Sequence, residues 1–276
     1  MAIVRIRVKR YKMVLRREYK GGIGRVYVDE NDREYPSVTT VLQTLSKGPW
    51  LERWQDTMRV NHFTETFDKH IESLDGDTRN KVNKEKVHRI FKSALAAPNN
   101  YRDMKGAQGD FYHKMLESYL KDDKGEHPVE WYLAQDERAE KVLNNFKKWV
   151  WKTQLKPIKV EHYLHSTKYG FAGTVDLVGT QTTKDGDKEL VLVDFKTGSV
   201  QKDQLLQLAA YAKAYEERFF LRPKRAFFLK VDVDAGSVGE QLRVENGTLE
   251  QLFELYMCSF RLWCWRNDVK FQVLDE

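Results

Sequence analysis

Cysteine is scarce: the 276 residues hold two, Cys258 and Cys264. Both fall on one predicted helix, six positions apart, so they point to different faces. They supply neither a disulfide framework nor a zinc or iron–sulfur ligand set, and a reducing, intracellular setting is the simplest expectation. Long apolar runs are missing too. No stretch approaches the roughly 18 uninterrupted apolar residues of a membrane span. The opening MAIVRIRVKRYKMVLRREYK lacks the apolar block of a signal peptide. There is no internal repeat, no low-complexity linker and no nucleotide-binding G-x-x-x-x-G-K-[ST] loop.

What the chain does have is charge, at 32% of residues, with a net +6 and a pI of about 9.0. A basic balance fits a polyanionic partner such as nucleic acid, although charge alone does not decide it. The periodic apolar residues, within a 41% apolar content, exclude global disorder. Basic side chains crowd the start: Arg5, Arg7, Lys9, Arg10, Arg16 and Arg17, with Tyr11 and Tyr19 interleaved. Phosphate attraction plus aromatic stacking is a common way to hold a single strand. The competing reading is a strand edge kept soluble by charge, since Val4, Ile6 and Val8 alternate with Arg5, Arg7 and Lys9. Trp50, Trp54 and Phe63 are either base-stacking or core aromatics.

The pattern of elements predicts an α/β fold with a mixed central sheet behind a helical N-terminal half. Arg25–Val28 and Arg33–Tyr35 read as a hairpin. Ser37 or Thr39 caps a helix starting near Val38. Helices are expected over Trp50–Val60, Lys84–Leu95 and Ala107–Leu120, then as one amphipathic run over Glu130–Trp151. Strands follow at Lys159–Ser166, Gly170–Thr180 and Glu189–Thr197, then a helix at Gln201–Phe219. Strands at Arg225–Val233 and Gln241–Val244 precede a last helix from Thr248, with Thr248 and Gln251 as a capping box.

The chemistry concentrates in GFAGTVDLVG and ELVLVDFKTG. Alternate side chains of a strand share a face, so Val191, Val193 and Phe195 face one way and Leu192, Asp194 and Lys196 the other. In the preceding strand Val175 and Leu177 are expected on one face and Asp176 on the other. A three-residue turn, Lys184–Gly186, with Gly186 left-handed sets Asp176 opposite Asp194; a two-residue turn would put it on the wrong face. Paired carboxylates repel, and a divalent cation removes that cost. Oxygen donors favour Mg²⁺ or Mn²⁺, and the Phe195 carbonyl adds another oxygen. The cation would lower the pKa of a water, while Lys196 would orient that water or stabilise developing negative charge. Asp-x-Lys also occurs at Asp122 and Asp268, but only the Asp194 copy ends an apolar strand beside a second acid. The plainer reading of Asp194 and Lys196 is a strand-end ion pair. Gln207 and Tyr211, four apart, share a helix face and either meet nucleic acid or order the site.

Gly173-Thr-Val-Asp176, Val193-Asp-Phe-Lys-Thr197 and Gln207-Leu-Ala-Ala-Tyr211 together resemble the RecB-like branch of the PD-(D/E)XK nucleases. That branch includes the nuclease domains of RecB and AddB, phage exonucleases and mitochondrial genome maintenance exonucleases. Pro36-Ser-Val-Thr-Thr-Val-Leu42 is similar to the start of the phage and mitochondrial types, so the resemblance runs from Tyr35 to Tyr215 on short motifs. It implies a restriction-endonuclease-like core with Asp176 and Asp194 as metal ligands and Lys196 as the catalytic lysine. Gly109-Asp-Phe-Tyr-His113 resembles the branch's Gly-Thr-x-x-His, with Asp110 in place of threonine, and implies His113 as a further ligand. Glu161 matches an acidic position that supports the site or holds a second metal. Two cysteines rule out the four-cysteine iron–sulfur cluster of some members.

The resemblance therefore implies a single nuclease domain over residues 1–276. Its parts would be a basic hairpin region (1–35), a helical subdomain carrying His113 (36–155) and the catalytic core (156–276). The expected activity is Mg²⁺- or Mn²⁺-dependent hydrolysis of DNA, as an exonuclease on single-stranded ends, in company with recombination or replication proteins. The expected location is the cytoplasm or nucleoid, or the host cytoplasm for a phage protein, with no membrane partner. Alternatives are an endonuclease of the same fold and an inert nucleic-acid-binding module.

Overall fold

A computed structural model describes residues 16–20, 23–45, 49–74 and 83–269, with backbone alone at 16–20, 49 and 50. Three short antiparallel strands come first: β1 (Arg16–Lys20), β2 (Gly24–Val28) and β3 (Glu34–Pro36). Helix α1 (Val38–Leu42) follows, and the Ser37 hydroxyl accepts the Thr40 N–H at its start. Four helices come next: α2 (Pro49–Glu72), α3 (Lys84–Leu120), α4 (Val129–Gln135) and α5 (Ala139–Thr153). Strands β4 (Lys156–Ser166), β5 (Phe171–Thr182) and β6 (Lys188–Lys196) then lead through a 3-10 turn, Lys202–Gln204, into α6 (Leu205–Phe219). Strands β7 (Arg225–Asp232) and β8 (Ser237–Glu245) and helix α7 (Asn246–Arg266) complete the described chain. The sheet order is β4-β5-β6-β7-β8. Only β6 and β7 run parallel, joined by α6 as the crossover. The fold is the α/β architecture expected, a mixed sheet flanked by helices.

The sheet separates two cores. On one face Leu192, Val178 and Phe228 pack with Val38 and Val41 of α1, Leu208 of α6 and Phe260 of α7. On the other, Val191, Val193, Phe195 and Phe227 pack with Met115 and Leu116 of α3, Tyr132 of α4 and Phe146 of α5. The split between Leu192 and Val191/Val193/Phe195 follows the alternation read from β6. Cys258 is exposed and Cys264 buried on α7, as their spacing requires. Among the described residues no helix is long and apolar enough to cross a membrane.

Several elements depart from the sequence pattern, each for a local reason. Helix α3 is one helix of 37 residues through Pro98 rather than two. Proline inside a helix costs about 3 kcal/mol, but Ile90, Ala94, Ala97 and Pro98 itself are buried, and that packing offsets it. The expected helix Glu130–Trp151 divides at Asp136, which is extended at φ −142° and ψ 117°. There the carboxylate accepts the Arg138 N–H at 3.0 Å, the Arg138 guanidinium at 2.8 Å and the Tyr112 hydroxyl at 3.0 Å. These side-chain bonds compete with the helix ladder. The Thr248–Gln251 capping box is not used. Strand β8 runs straight into α7, which starts two residues earlier with its Asn246 N–H on the Lys224 carbonyl at 3.0 Å.

The β5–β6 turn has the expected form. Thr182 pairs with Lys188, and the Thr183 N–H reaches the Asp187 carbonyl at 2.8 Å. That leaves Lys184–Gly186 as the loop, with Gly186 at φ +89°. The register through Leu177↔Val193, carried one step further, sets Asp176 opposite Asp194. One expectation fails in β5: Val175 joins the first core and Leu177 the second. The cause is a break at Asp176, which is paired in neither ladder. Its neighbour across β4, Glu161, has a left-handed backbone at φ +48°.

Candidate active site

At the end of β6, Asp194 and Lys196 face α6. Lys196 Nζ stands 2.6 Å from Asp194 Oδ2, off the line of an aligned hydrogen bond, so that buried oxygen has no well-directed donor. Asp194 Oδ1 accepts Gln207 Nε2–H at 2.8 Å. The same amide nitrogen lies 3.2 Å from the Tyr211 hydroxyl, and Gln207 Oε1 lies 3.5 Å from Lys196 Nζ. Gln207 and Tyr211 are both buried. In the fold they are tied to Asp194 and to each other. Gly173 makes room for this, since a Cβ there would collide with the Tyr211 ring.

On the other side α3 brings His113 over the strand ends. Gly109, one turn earlier, permits the close approach: a Cβ there would come within 3.1 Å of Thr197 Oγ1. His113 Nδ1 is 3.6 Å from Asp176 Oδ2, and its ring meets the Phe195 ring edge-on. Glu161 completes a cluster in which one donor atom each from His113, Glu161 and Asp176 lie within 4.8 Å of one another. Asp176 Oδ2 also accepts the Phe195 N–H at 2.5 Å, a donor left over where the β5–β6 ladder ends. Glu161, expected to support the site or to hold a second metal, stands among these donors, and Asp194, expected as a ligand, adjoins them in its ion pair with Lys196. The Phe195 residue sits between the two groups.

Burial dominates the electrostatics of the site. Burial, and then the charge of Asp194, push the Asp176 carboxyl well above the usual carboxylate range. Burial lowers His113, with Lys196 adding to the effect, which favours the neutral, ligating imidazole. Burial opposes the Lys196 ammonium, but Asp194 outweighs it and raises the group above its ordinary value. An imidazole and two carboxylates within reach of one another fit a divalent cation.

Of the basic residues expected to hold nucleic acid, Arg5, Arg7, Lys9, Arg10 and Tyr11 lie outside the described residues, as does the expected strand around Val4–Val8. Arg16 and Arg17 lie in β1, where the backbone alone is described. The small sheet does reach the site's strand: Ser37 bridges Ala172, and the Tyr27 hydroxyl lies 3.0 Å from Thr174 Oγ1. Phe63 stacks on Phe67 and meets Phe91 within the helical half. Lys230 was not foreseen. It occupies the β7 position in register with Lys196 and donates to the carbonyls of Thr197 and Gly198, each at 2.6 Å. Its only sequence signal is a lysine ending an apolar strand, and the parallel pairing that gives it meaning is not legible there.

A profile of the PD-(D/E)XK nuclease superfamily matches residues 85–259. That span includes every residue of the cluster just described, and the chain belongs to this superfamily. Its members are nucleases that use divalent metals. Among solved structures, a protein from Eubacterium rectale described as a candidate exonuclease is similar at a TM-score of 0.38 and 9% identity, covering 59% of this chain and 69% of that one. None of the curated proteins compared matches the chain.

Proposed function

We propose that this nuclease is a deoxyribonuclease of the RecB-like branch without an iron–sulfur cluster, acting with Mg²⁺ or Mn²⁺ as an exonuclease on single-stranded ends. The observation that carries it is the meeting of His113, Glu161 and Asp176 with the Asp194–Lys196 pair. His113, Glu161 and Asp176 would hold the metal, with Asp194 Oδ2 and the Phe195 carbonyl adjoining. When bound, the cation supplies Lewis acidity toward phosphate oxygen and promotes ionisation of water. Lys196, kept charged by Asp194, offers its protons to the attacking water or to negative charge developing on the phosphate. Gln207 fixes Asp194 and Lys196 in register, and Tyr211 braces Gln207. Work beside intracellular recombination or replication proteins belongs to the same proposal and rests on resemblance.

The test uses end-labelled single strands, linear duplex and closed single-stranded circles, with Mg²⁺, Mn²⁺ or EDTA, for wild type and Lys196→Ala. Metal-dependent loss of linear strands only, abolished in the variant, is the expected result, and the label reports polarity. Cutting of circles would replace the exonuclease reading by an endonuclease. No cutting with either metal, alongside unchanged binding after Asp194→Ala, would leave an inert binding module.

A further inference from the structure

Helix α3 carries more than His113 toward the strand ends. Tyr101, Lys105, Gly109 and His113 recur every four residues, so they form one slowly winding stripe, with a step of about 6 Å along the axis. That step is close to the phosphate repeat of an extended single strand and well beyond the rise per base of a duplex strand, about 3.4 Å. Each position has a partner suited to such a strand. His113 meets the donor cluster. Gly109 lies against Thr197, next to the catalytic lysine, and adds no bulk. Lys105 comes one turn before Gly109, and the Thr197 that Gly109 lies against accepts, with Gly198, the Lys230 ammonium on its carbonyl. Burial, with the charge of Lys105 adding to it and that of Asp232 opposing, holds the Lys230 ammonium below its ordinary value. Two ammonium groups near one another are an arrangement that a phosphate relieves. Among the described residues Lys105 Nζ meets neutral groups of its own helix, Gln108 Oε1 at 3.1 Å and the Tyr101 ring at 5.9 Å. Tyr101 is 40% exposed and is braced edge-on by Trp54 of α2, with ring centroids 5.8 Å apart.

We infer that this stripe is the track of a single strand leading away from the cut. In it, Lys105 and Lys230 would hold a backbone phosphate, and the Tyr101–Trp54 pair would stack a base about three nucleotides from His113. The inference rests on the nuclease reading for its starting point, the metal cluster, but assigns the strand's path independently of chemistry.

The experiment measures fluorescence anisotropy of oligothymidine with the whole chain in EDTA, across a salt series, and then cleavage with Mn²⁺. The variants are Lys105→Ala, Lys105→Glu and Tyr101→Ala, with Lys184→Ala as reference, exposed in the β5–β6 turn at the opposite end of β6 from Lys196. Lys105→Ala is expected to reduce the slope of log K against log salt by about 0.7, and Lys105→Glu to weaken binding further. Tyr101→Ala is expected to lose at least about fivefold in single-strand affinity. Both losses should vanish on oligonucleotides too short to reach about three residues past the cut. Equal salt slopes for Lys105→Ala and Lys184→Ala would overturn the track, even if wild type cleaves as proposed. Equal losses on blunt duplex would overturn the single-strand assignment. The slopes and affinities are read without metal, so a chain that binds strands yet cuts nothing would sink the nuclease reading and leave the track to be judged on binding alone.

Discussion

On the α6 side of β6, Asp194, Lys196, Gln207 and Tyr211 hold one another through contacts of 2.6 to 3.5 Å. On the α3 side, His113, Glu161 and Asp176 converge at a point where the sheet ladder is broken and the Glu161 backbone is left-handed. The first group is nearly self-sufficient: its charges are paired and its amide is bonded. The second gathers an imidazole and two carboxylates, and burial, then the charge of Asp194 in the first group, hold Asp176 well above the ordinary carboxylate range. Polar groups buried together persist only when something satisfies them. One half of the site is therefore held by its own side chains, and the other brings together donors that fit a cation.

The largest expected effect lies in the self-sufficient half. Lys196→Ala and Asp194→Asn should each slow metal-dependent cleavage by about a hundredfold to a thousandfold. Lys196→Ala should also lower the melting temperature, because it leaves the buried Asp194 carboxylate without its counter-charge. A variant retaining near-wild-type rates would show that the pair is surface trim. In the other half, Glu161→Gln should raise the metal concentration for half-maximal rate by about tenfold or more. A metal titration that superimposes on wild type would remove Glu161 from the donor set.

A steric probe sharpens the comparison from the α6 side. Gly173→Ala pushes a methyl group into the Tyr211 ring and should cost about 1–3 kcal/mol in denaturant unfolding, with a fall in cleavage rate as Gln207 shifts. Tyr211→Phe, which keeps the ring and loses one hydrogen bond, should cost about 1 kcal/mol. If the two variants behaved alike, the close approach at Gly173 would carry no weight.

The smallest effect is one of pH and belongs to the helix break beside the site. Arg138 first, then the backbone N–H of Arg138 and the Tyr112 hydroxyl, hold Asp136 down at about 2, from an ordinary 3.8, against the opposing effect of burial. Its folded value is depressed, so its contribution is present above 3.8 and is lost as pH falls through about 2. That contribution is about 2 kcal/mol at most. The stability gap between wild type and Asp136→Asn should thus be widest near neutral pH and narrow below pH 3.8. A gap that stayed constant in urea melts from pH 6 to pH 2.5 would show that the carboxylate's charge is immaterial.

Much of this was readable in the chain, and the unread parts have physical causes. Period-two alternation in β6 and the Lys184–Gly186 turn are local, and they placed Asp176, Asp194 and Lys196 before any tertiary contact was known. The capping of α1 by Ser37 was local as well. What stayed hidden depends on distant partners. Pro98 looks like a helix end until the packing of Ala94 and Ala97 is known. Asp136 looks like a solvent-facing helix residue until Tyr112 and Arg138 arrive on it. The β5 irregularity cannot be inferred from Val175 and Leu177, because the left-handed residue beside it, Glu161, lies on the neighbouring strand. Lys230 acquires meaning only from the parallel pairing of β6 with β7.

The donor cluster also has a mechanical side. His113 rides on α3, while Glu161 and Asp176 belong to β4 and β5, so a cation bound there is a staple between a helix and two strands. Binding that favours the folded chain adds stability by mass action, about 2.7 kcal/mol when the metal is at a hundred times its dissociation constant. Chelation should accordingly release α3 from the sheet ahead of the rest of the molecule, and amide exchange along that helix should quicken while the strands stay protected.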